Sequence, residues 1–525
     1  MSDTPTTTVS AVMKMGAADV LDTIANLSND EVFTPPKLAN QVLDLLPKHV
    51  WSDSSLKFLD PCVKTGVFLR EIVKRLMIGL KDEIKDEGER REHILRNQIY
   101  GIAITELTAL MSRRTVYCSS DATRQKNDDM PENCYSAVIF EKSEGNIAFP
   151  SVGHRWPQKK KGVIAQTARC EVCGANYSEF TGDDREGMES YAYPFIHMDI
   201  QEIFGEMQFD VVIGNPPYQI ADNGGDGSSA RHIYQEFIYQ AERILPKYIS
   251  MIIPARWMNG GKGLSEFKER MFSLSGVKHI MDFSSSERIF PGLTIAGGVC
   301  FYLWERGYSG PTVHAYHSDT ECIGERSIED FNGFIRDPIS ADIIKKVRLQ
   351  NNQSMKEIVF PRNLYNIPSK FSGRDGHLTV HTAKGTHKID GLPARLNLEH
   401  IESYRVLISK AAPGRGGAAG LSGKRKMISR IFIAEPLEVC SESFLVIGEF
   451  NSKEQAESLA TYLRTKFARF MLASLVDTQN ISKEKFANVP MIDWTRVWCD
   501  DVLNEHFSLS VSEIDYINKS ISEFS

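Results

Sequence analysis

The run Phe209-Asp210-Val211-Val212-Ile213-Gly214 is followed at once by Asn215-Pro216-Pro217-Tyr218. β-Branched apolar residues favour a buried strand. Two prolines end it, because proline lacks the N–H that a ladder requires and locks φ. The backbone must therefore leave the sheet in one stiff conformation. The corner presents an amide side chain, a proline carbonyl without a helix partner, and an aromatic ring. Together these suit a planar exocyclic amine. Its two N–H groups can donate to the Asn215 oxygen and the Pro216 carbonyl while Tyr218 stacks on the ring. Such bonding draws the nitrogen lone pair out of conjugation and aims it at an electrophile.

Upstream, the segment from Leu56 to Leu69 reads as strand, tight turn and helix. Asp60 sits near the strand end, Gly66 in the turn, and Phe68, Leu69, Ile72, Val73, Leu76 and Met77 lie at helical spacing. A strand ending in an acid, then a glycine turn into a helix N-terminus, is the usual cofactor crevice of a doubly wound α/β sheet. Gln98 to Ile102 reads as the second strand, and Thr115 to Ala122 as the third, ending at Asp121. Ahead of all of these, Thr34-Pro35-Pro36 starts a helix through Leu38, Val42 and Leu43, with proline preset in its first turn. Downstream, Tyr248 to Met258 and Gly297 to Trp304 read as buried strands.

In this order the four elements resemble the S-adenosylmethionine-dependent amino-methyltransferases, in particular the adenine-N6 DNA methyltransferases of bacterial restriction-modification systems. The resemblance is firm over about residues 28–305 and looser beyond. It implies a Rossmann-like doubly wound methyltransferase sheet, with Asn215, Pro216, Pro217 and Tyr218 as the catalytic corner. Thr34, Pro35, Asp60, Gly66, Phe68, Glu106, Asp121 and Asn215 then bind S-adenosylmethionine, and Tyr218 and Phe290 hold the target base. Two positions depart from the family pattern: Lys64 stands where the first glycine is usual, and Ala103 where the ribose-binding carboxylate is. Related readings of the same corner are cytosine-N4 or protein-glutamine methylation. A further reading, motivated by Lys64 and Ala103, is a DNA-binding subunit of a defence complex that has lost cofactor binding.

A chain of 525 residues implies more than one domain. The expected division is a methyltransferase domain over 1–324, with an insertion near 125–205, and a mixed α+β target-recognition domain over 325–525. No apolar run is long enough to span a membrane, and the nine scattered cysteines point to a reducing cytoplasm. The net charge of −7 argues against indiscriminate coating of DNA but leaves room for a local basic face. Lys159-Lys160-Lys161 is one such region. A second runs from Lys410 to Arg430 through Arg415, Lys424, Arg425 and Lys426 without an acid, and its position favours the phosphate backbone of double-stranded DNA. Cys170-Glu171-Val172-Cys173-Gly174 is half of a zinc-ribbon signature, with His154, Cys134 and His197 as candidate completing ligands. No endonuclease or helicase signature is present, so any cleavage falls to a separate restriction endonuclease or helicase subunit.

Overall fold

The computed structural model describes residues 32–127, 135–158, 164–165, 167–177, 192–219, 231–260, 263–318, 321–327, 334–373, 375–389, 400–412, 424–476 and 480–524. Cys134, Lys159 to Lys161 and Arg415 lie outside these residues.

The chain divides into two compact units, Met1–His314 and Ala315–Ser525. In chain order the first contains strands β1 (Phe58–Val63), β2 (Ile99–Ala103), β3 (Ile147–Ala148), β4 (Val211–Gly214), β5 (Tyr248–Pro254), β6 (Val277–Phe283) and β7 (Val299–Glu305). β8 (Thr312–His317) runs across the division, and β9 (Glu321–Arg326) follows. The sheet order is β3-β2-β1-β4-β5-β7-β6-β8-β9. β1 pairs in parallel with both β2 and β4, and β4 pairs in parallel with β5. β7 lies antiparallel between β5 and β6. β1, β4 and β5 are buried along their whole length. That burial is why their sequences are continuous apolar runs rather than alternating ones. The strand order reverses between β1 and β4, and a crevice opens beyond their carboxyl ends there, as in other doubly wound sheets.

One expected strand is absent. Thr115–Tyr117 forms the last turn of helix Glu106–Tyr117, which ends at Cys118 with φ at 67°. β3 is instead Ile147–Ala148, paired with Gly101 and Ile102 of β2. It falls inside the stretch expected to be an insertion. Thr115, Val116 and Tyr117 are β-formers, but Thr105 and Thr108 cap the start of that helix reciprocally. Val116 and Tyr117 complete the buried face of that helix, so tertiary packing overrides local propensity.

The second unit is α+β. One three-stranded sheet is ordered β11 (Gly385–Ile389), β10 (Leu378–Thr382), β14 (Glu438–Cys440). The other is ordered β13 (Ile431–Ala434), β12 (Tyr404–Ser409), β15 (Phe444–Phe450). Helices Lys453–Arg464 and Lys466–Ala473 share a core with β12 and β15. A single amphipathic helix from Glu454 to Leu472 is expected there. The structure breaks it at Thr465, whose backbone is extended and whose side chain accepts a hydrogen bond from Ala468 N to cap the second helix. Among the described residues no helix is long and apolar enough to cross a membrane.

Candidate active site

Gly214 ends β4 against the end of β1. A Cβ there would lie 2.8 Å from Asp60 Oδ1 and 2.9 Å from Cys62 Sγ, so the two strand ends approach this closely because the residue before Asn215 is glycine. Gly66 makes the second close approach. It caps helix Val67–Gly79 with φ at 79°, and a Cβ would meet Ser112 at 3.1 Å. Thr34, Asp60, Lys64, Gly66, Phe68 and Asn215 line one small cleft between these elements. Six residues from widely separated parts of the sequence thus converge, five of them expected at the cofactor crevice.

Asn215 is 3% exposed. Its Nδ2 donates to the Val32 carbonyl at 3.1 Å and to Thr34 Oγ1 at 3.1 Å. Only the amide nitrogen can satisfy a carbonyl, so these bonds orient the side chain. The opposite atom, Oδ1, is buried and has no hydrogen-bond partner among the described residues. Leaving a buried amide oxygen unpartnered costs roughly 1–3 kcal/mol, so such an atom calls for an explanation. The segment from Val32 to Thr34 thus fixes the orientation of the Asn215 amide. Pro35 precedes helix Pro36–Leu43 in extended conformation, which sets Thr34 against Asn215.

Asp60 is 3% exposed, and burial raises its pKa to about 7 despite the hydrogen bond from Cys62 N and the nearby Lys64. Burial, with Asp60 beside it, also pushes the Cys62 thiol up, so a reactive thiolate does not form there. Lys64 is buried, and its Nζ donates to the Val32 carbonyl at 2.9 Å. The residue that replaces the usual glycine thus ties the turn after β1 to the same carbonyl that holds Asn215. The sequence shows the departure at Lys64, but not where its four-carbon stem goes. Val32 is a functional position that sequence reasoning missed, because it acts through its backbone carbonyl and carries no side-chain signal.

Tyr218 and Phe290 are 8% and 3% exposed and belong to one apolar cluster with Ile289 and Phe283. Burial pushes the Tyr218 phenol well up, so the ring stays neutral. A base that stacks on either ring has to part this cluster. Glu106 and Asp121 lie apart from the small cleft. Glu106 is exposed at the start of its helix, and Asp121 is exposed in a turn instead of at a strand end. Thr123 N and Oγ1 donate to Asp121 Oδ1 at 2.9 and 2.6 Å, which holds its carboxyl below the usual range.

In the second unit the basic residues divide. Arg425 donates through its guanidinium to the carbonyls of Ala473 and Val476, and its backbone bridges Ile521. It therefore fastens the end of helix Lys466–Ala473. Lys410 is half-buried, and burial lowers its pKa. Its backbone pairs with Ser443 and Ile481.

Residues 97–290 match the model of the Eco57I restriction-modification methylase family. Over 310 residues the chain is 38% identical to an uncharacterized adenine-specific methylase of Mycoplasma pneumoniae, covering 56% of this chain and 72% of that protein. Among solved structures, the type IIL restriction-modification enzyme MmeI, in complex with DNA, aligns at 11% identity and a TM-score of 0.44. That alignment covers 86% of this chain and 64% of MmeI. The type I restriction enzyme EcoKI M protein aligns at 12% identity and a TM-score of 0.31, over 57% of this chain and 51% of that one. The chain thus spans about half to two thirds of the length of these solved relatives.

Proposed function

The chain belongs to the adenine-specific methylases of restriction-modification systems, and from that membership we propose that it transfers a methyl group from S-adenosylmethionine to N6 of an adenine turned out of duplex DNA. The observation that carries this reading is the Asn215 amide. Its nitrogen is held by Val32 and Thr34, and its buried oxygen is left for an outside donor.

Asn215 Oδ1 and the Pro216 carbonyl accept the two N–H groups of the amine, which localises the nitrogen lone pair and directs it into the cleft. The fit of the cleft to the methyl donor rests on the glycine turn at Gly66, the buried Asp60 and the flanking Thr34 and Phe68. When bound, that cofactor supplies an electrophilic methyl on a sulfonium. No general base is needed before attack, and the proton can leave afterwards, so the chain's own contribution is positioning and polarisation. Turning a base out of the duplex costs a few kcal/mol, and stacking on Tyr218 offsets about 1–3 kcal/mol of it. The second unit serves as the target-recognition domain, with Lys410, Lys424 and Lys426 on the phosphate backbone. Modification then pairs with cleavage by a separate subunit, and the setting is the cytoplasm.

Lys64 favours one competing reading. Its stem fills part of the cleft and its Nζ is bound to Val32, as in a subunit that binds DNA without the methyl donor. One experiment separates the two. Asn215→Ala should reduce transfer of labelled methyl to DNA by at least about 10²-fold, while calorimetry finds the cofactor affinity of the variant within a few-fold of the wild type. Wild-type protein that binds no cofactor in the same titration would establish the competing reading, and equal methylation by variant and wild type would remove Asn215 from the chemistry.

A further inference from the structure

Four side chains that the transfer reaction does not use form a compact group of metal-ligand types. The ligand atoms of His154, Cys170, Cys173 and His197 all lie within 4.8 Å of one another. Cys170 Sγ is 3.5 Å from His197 Nε2, and Cys173 Sγ is 3.3 Å from His154 Nδ1. Zinc with bonds of about 2.0–2.1 Å to nitrogen and about 2.3 Å to sulfur, arranged tetrahedrally, spaces its ligand atoms by about 3.3–3.8 Å. The cluster already has that scale. Both cysteines and His197 are buried, and both cysteines are free thiols.

The surroundings are also those of a metal site. His197 Nδ1 lies 2.9 Å from the Tyr193 carbonyl, and only an N–H can bond a carbonyl. This fixes the tautomer, so the Nε2 that faces Cys170 carries the lone pair. Arg155 N donates to Cys170 Sγ at 3.3 Å, a bond that favours thiolate sulfur. The cysteines sit on a tight turn in which Gly174 N donates to the Cys170 carbonyl, Cys170 N to the Ala175 carbonyl, and Arg169 bridges Asn176. Gly174 takes φ at 74° to close it. Two buried thiols and two imidazoles are a soft, nitrogen–sulfur donor set, which selects zinc over magnesium or calcium.

We propose that His154, Cys170, Cys173 and His197 bind one structural zinc ion that pins the segment between β3 and β4 to the helix behind the catalytic corner. The ligands come from three stretches of chain with little regular structure of their own, so a single ion replaces the core they lack. His197 ends the short helix Pro194–His197, where Phe195 stacks on Phe237 at 5.9 Å and Tyr193 meets the same ring edge-on at 5.7 Å. Phe237 belongs to helix Tyr234–Arg243. The cysteine turn touches the same place, since a Cβ on Gly174 would collide with Arg231. Just beyond Arg231, His232 bridges Gln219, the residue after the corner. The ion thus braces the bridge between His232 and Gln219, next to Asn215-Pro216-Pro217-Tyr218.

Metal analysis of the full-length protein, purified without chelator or affinity histidines, tests this directly. Close to one zinc per chain is expected, and it should disappear in Cys170→Ser and in His197→Gln but persist in Cys118→Ser, a cysteine exposed elsewhere. Exchange into cobalt should give the visible bands of a tetrahedral site with thiolate ligands. Wild-type protein, whose folding no variant compromises, should melt at a lower temperature after chelation and recover when zinc is restored. Zinc-free protein with an unchanged melting temperature, a Cys170–Cys173 disulfide in the purified chain, or zinc retained by the Cys170 and His197 variants would each overturn the proposal. None of these readouts depends on methyl transfer.

Discussion

Asn215 and Asp60 in the first unit and Arg405 and Arg469 in the second are buried polar groups with opposite surroundings. In the first, Asn215 keeps an amide oxygen buried without a partner among the described residues, and Asp60 is buried deeply enough for its pKa to reach about 7. In the second, Arg405 and Arg469 are as completely buried, yet both are bonded to carbonyl oxygens. Arg405 donates to the carbonyls of Ser403, Ile401 and Glu435 and to the Tyr365 hydroxyl. Arg469 donates to those of Arg464, Thr465 and Ser522. A polar group whose hydrogen bonds close within the protein holds structure, and on the function proposed above the open oxygen of Asn215 is kept for the target amine.

The largest effect expected from this contrast is on stability in the second unit. Arg405→Met retains volume but removes a charged donor from the Ser403, Ile401 and Glu435 carbonyls and the buried Tyr365 hydroxyl. Ile401 and Glu435 keep backbone donors from Leu437 and Glu438, so two bonds, each worth roughly 1.5–3 kcal/mol, go unreplaced. Urea unfolding should show a loss of about 3–5 kcal/mol, the sum of those two bonds to a charged donor. A loss below about 1 kcal/mol, the size of an ordinary hydrogen bond, would mean that the contrast between the units is one of appearance alone.

A smaller effect, and one that depends on pH, is expected at Asp60. Its folded pKa of about 7 lies above the usual carboxylate value, so the folded state holds a proton that the unfolded state has released. Stability from this group is therefore fully present below the unfolded pKa of about 3.9 and is lost as pH rises through the folded value. Relative to Asp60→Asn, the wild type should lose about 2–3 kcal/mol of unfolding free energy between about pH 5 and pH 8. Parallel pH profiles for the two proteins would show that Asp60 is ionised and compensated within the fold, as Arg405 is.

The smallest effect concerns Lys424 and Lys426 of the second unit. Neutralising both should weaken binding to matched and mismatched duplexes by similar factors, and should lower the salt slope by at most about 0.9 for each phosphate no longer neutralised. Arg425 should behave differently: its replacement lowers the melting temperature, because its guanidinium holds the carbonyls of Ala473 and Val476. Weaker binding to the matched duplex alone would make the two lysines readers of sequence.

Much of the site was legible because its signals are local. The prolines after Asn215 and the glycine at 66 dictate backbone conformations that few other residues adopt, and apolar runs such as Val211–Ile213 mark strands buried on both faces. The strand expected at 115–122 failed for the converse reason. Val116 and Tyr117 favour strands by propensity, but capping by Thr105 and burial against the first unit's core hold them in a helix. The carbonyl bonds of Arg425 were not legible either, since a charge in a basic stretch does not reveal whether carbonyls lie within its reach.

By itself, the sequence determined where chain direction must change, which strands are buried on both sides and which residue types crowd the catalytic corner. Those properties follow from φ restrictions and from hydrophobicity over a few residues. Only the tertiary structure decided that Val32 holds both Lys64 and Asn215, that Ile147 and Ala148 supply the third strand, and that His154 and His197 are the histidines beside Cys170 and Cys173. Each of these is an approach between residues distant in sequence. Such approaches depend on how whole elements pack, and no local preference of the chain encodes them.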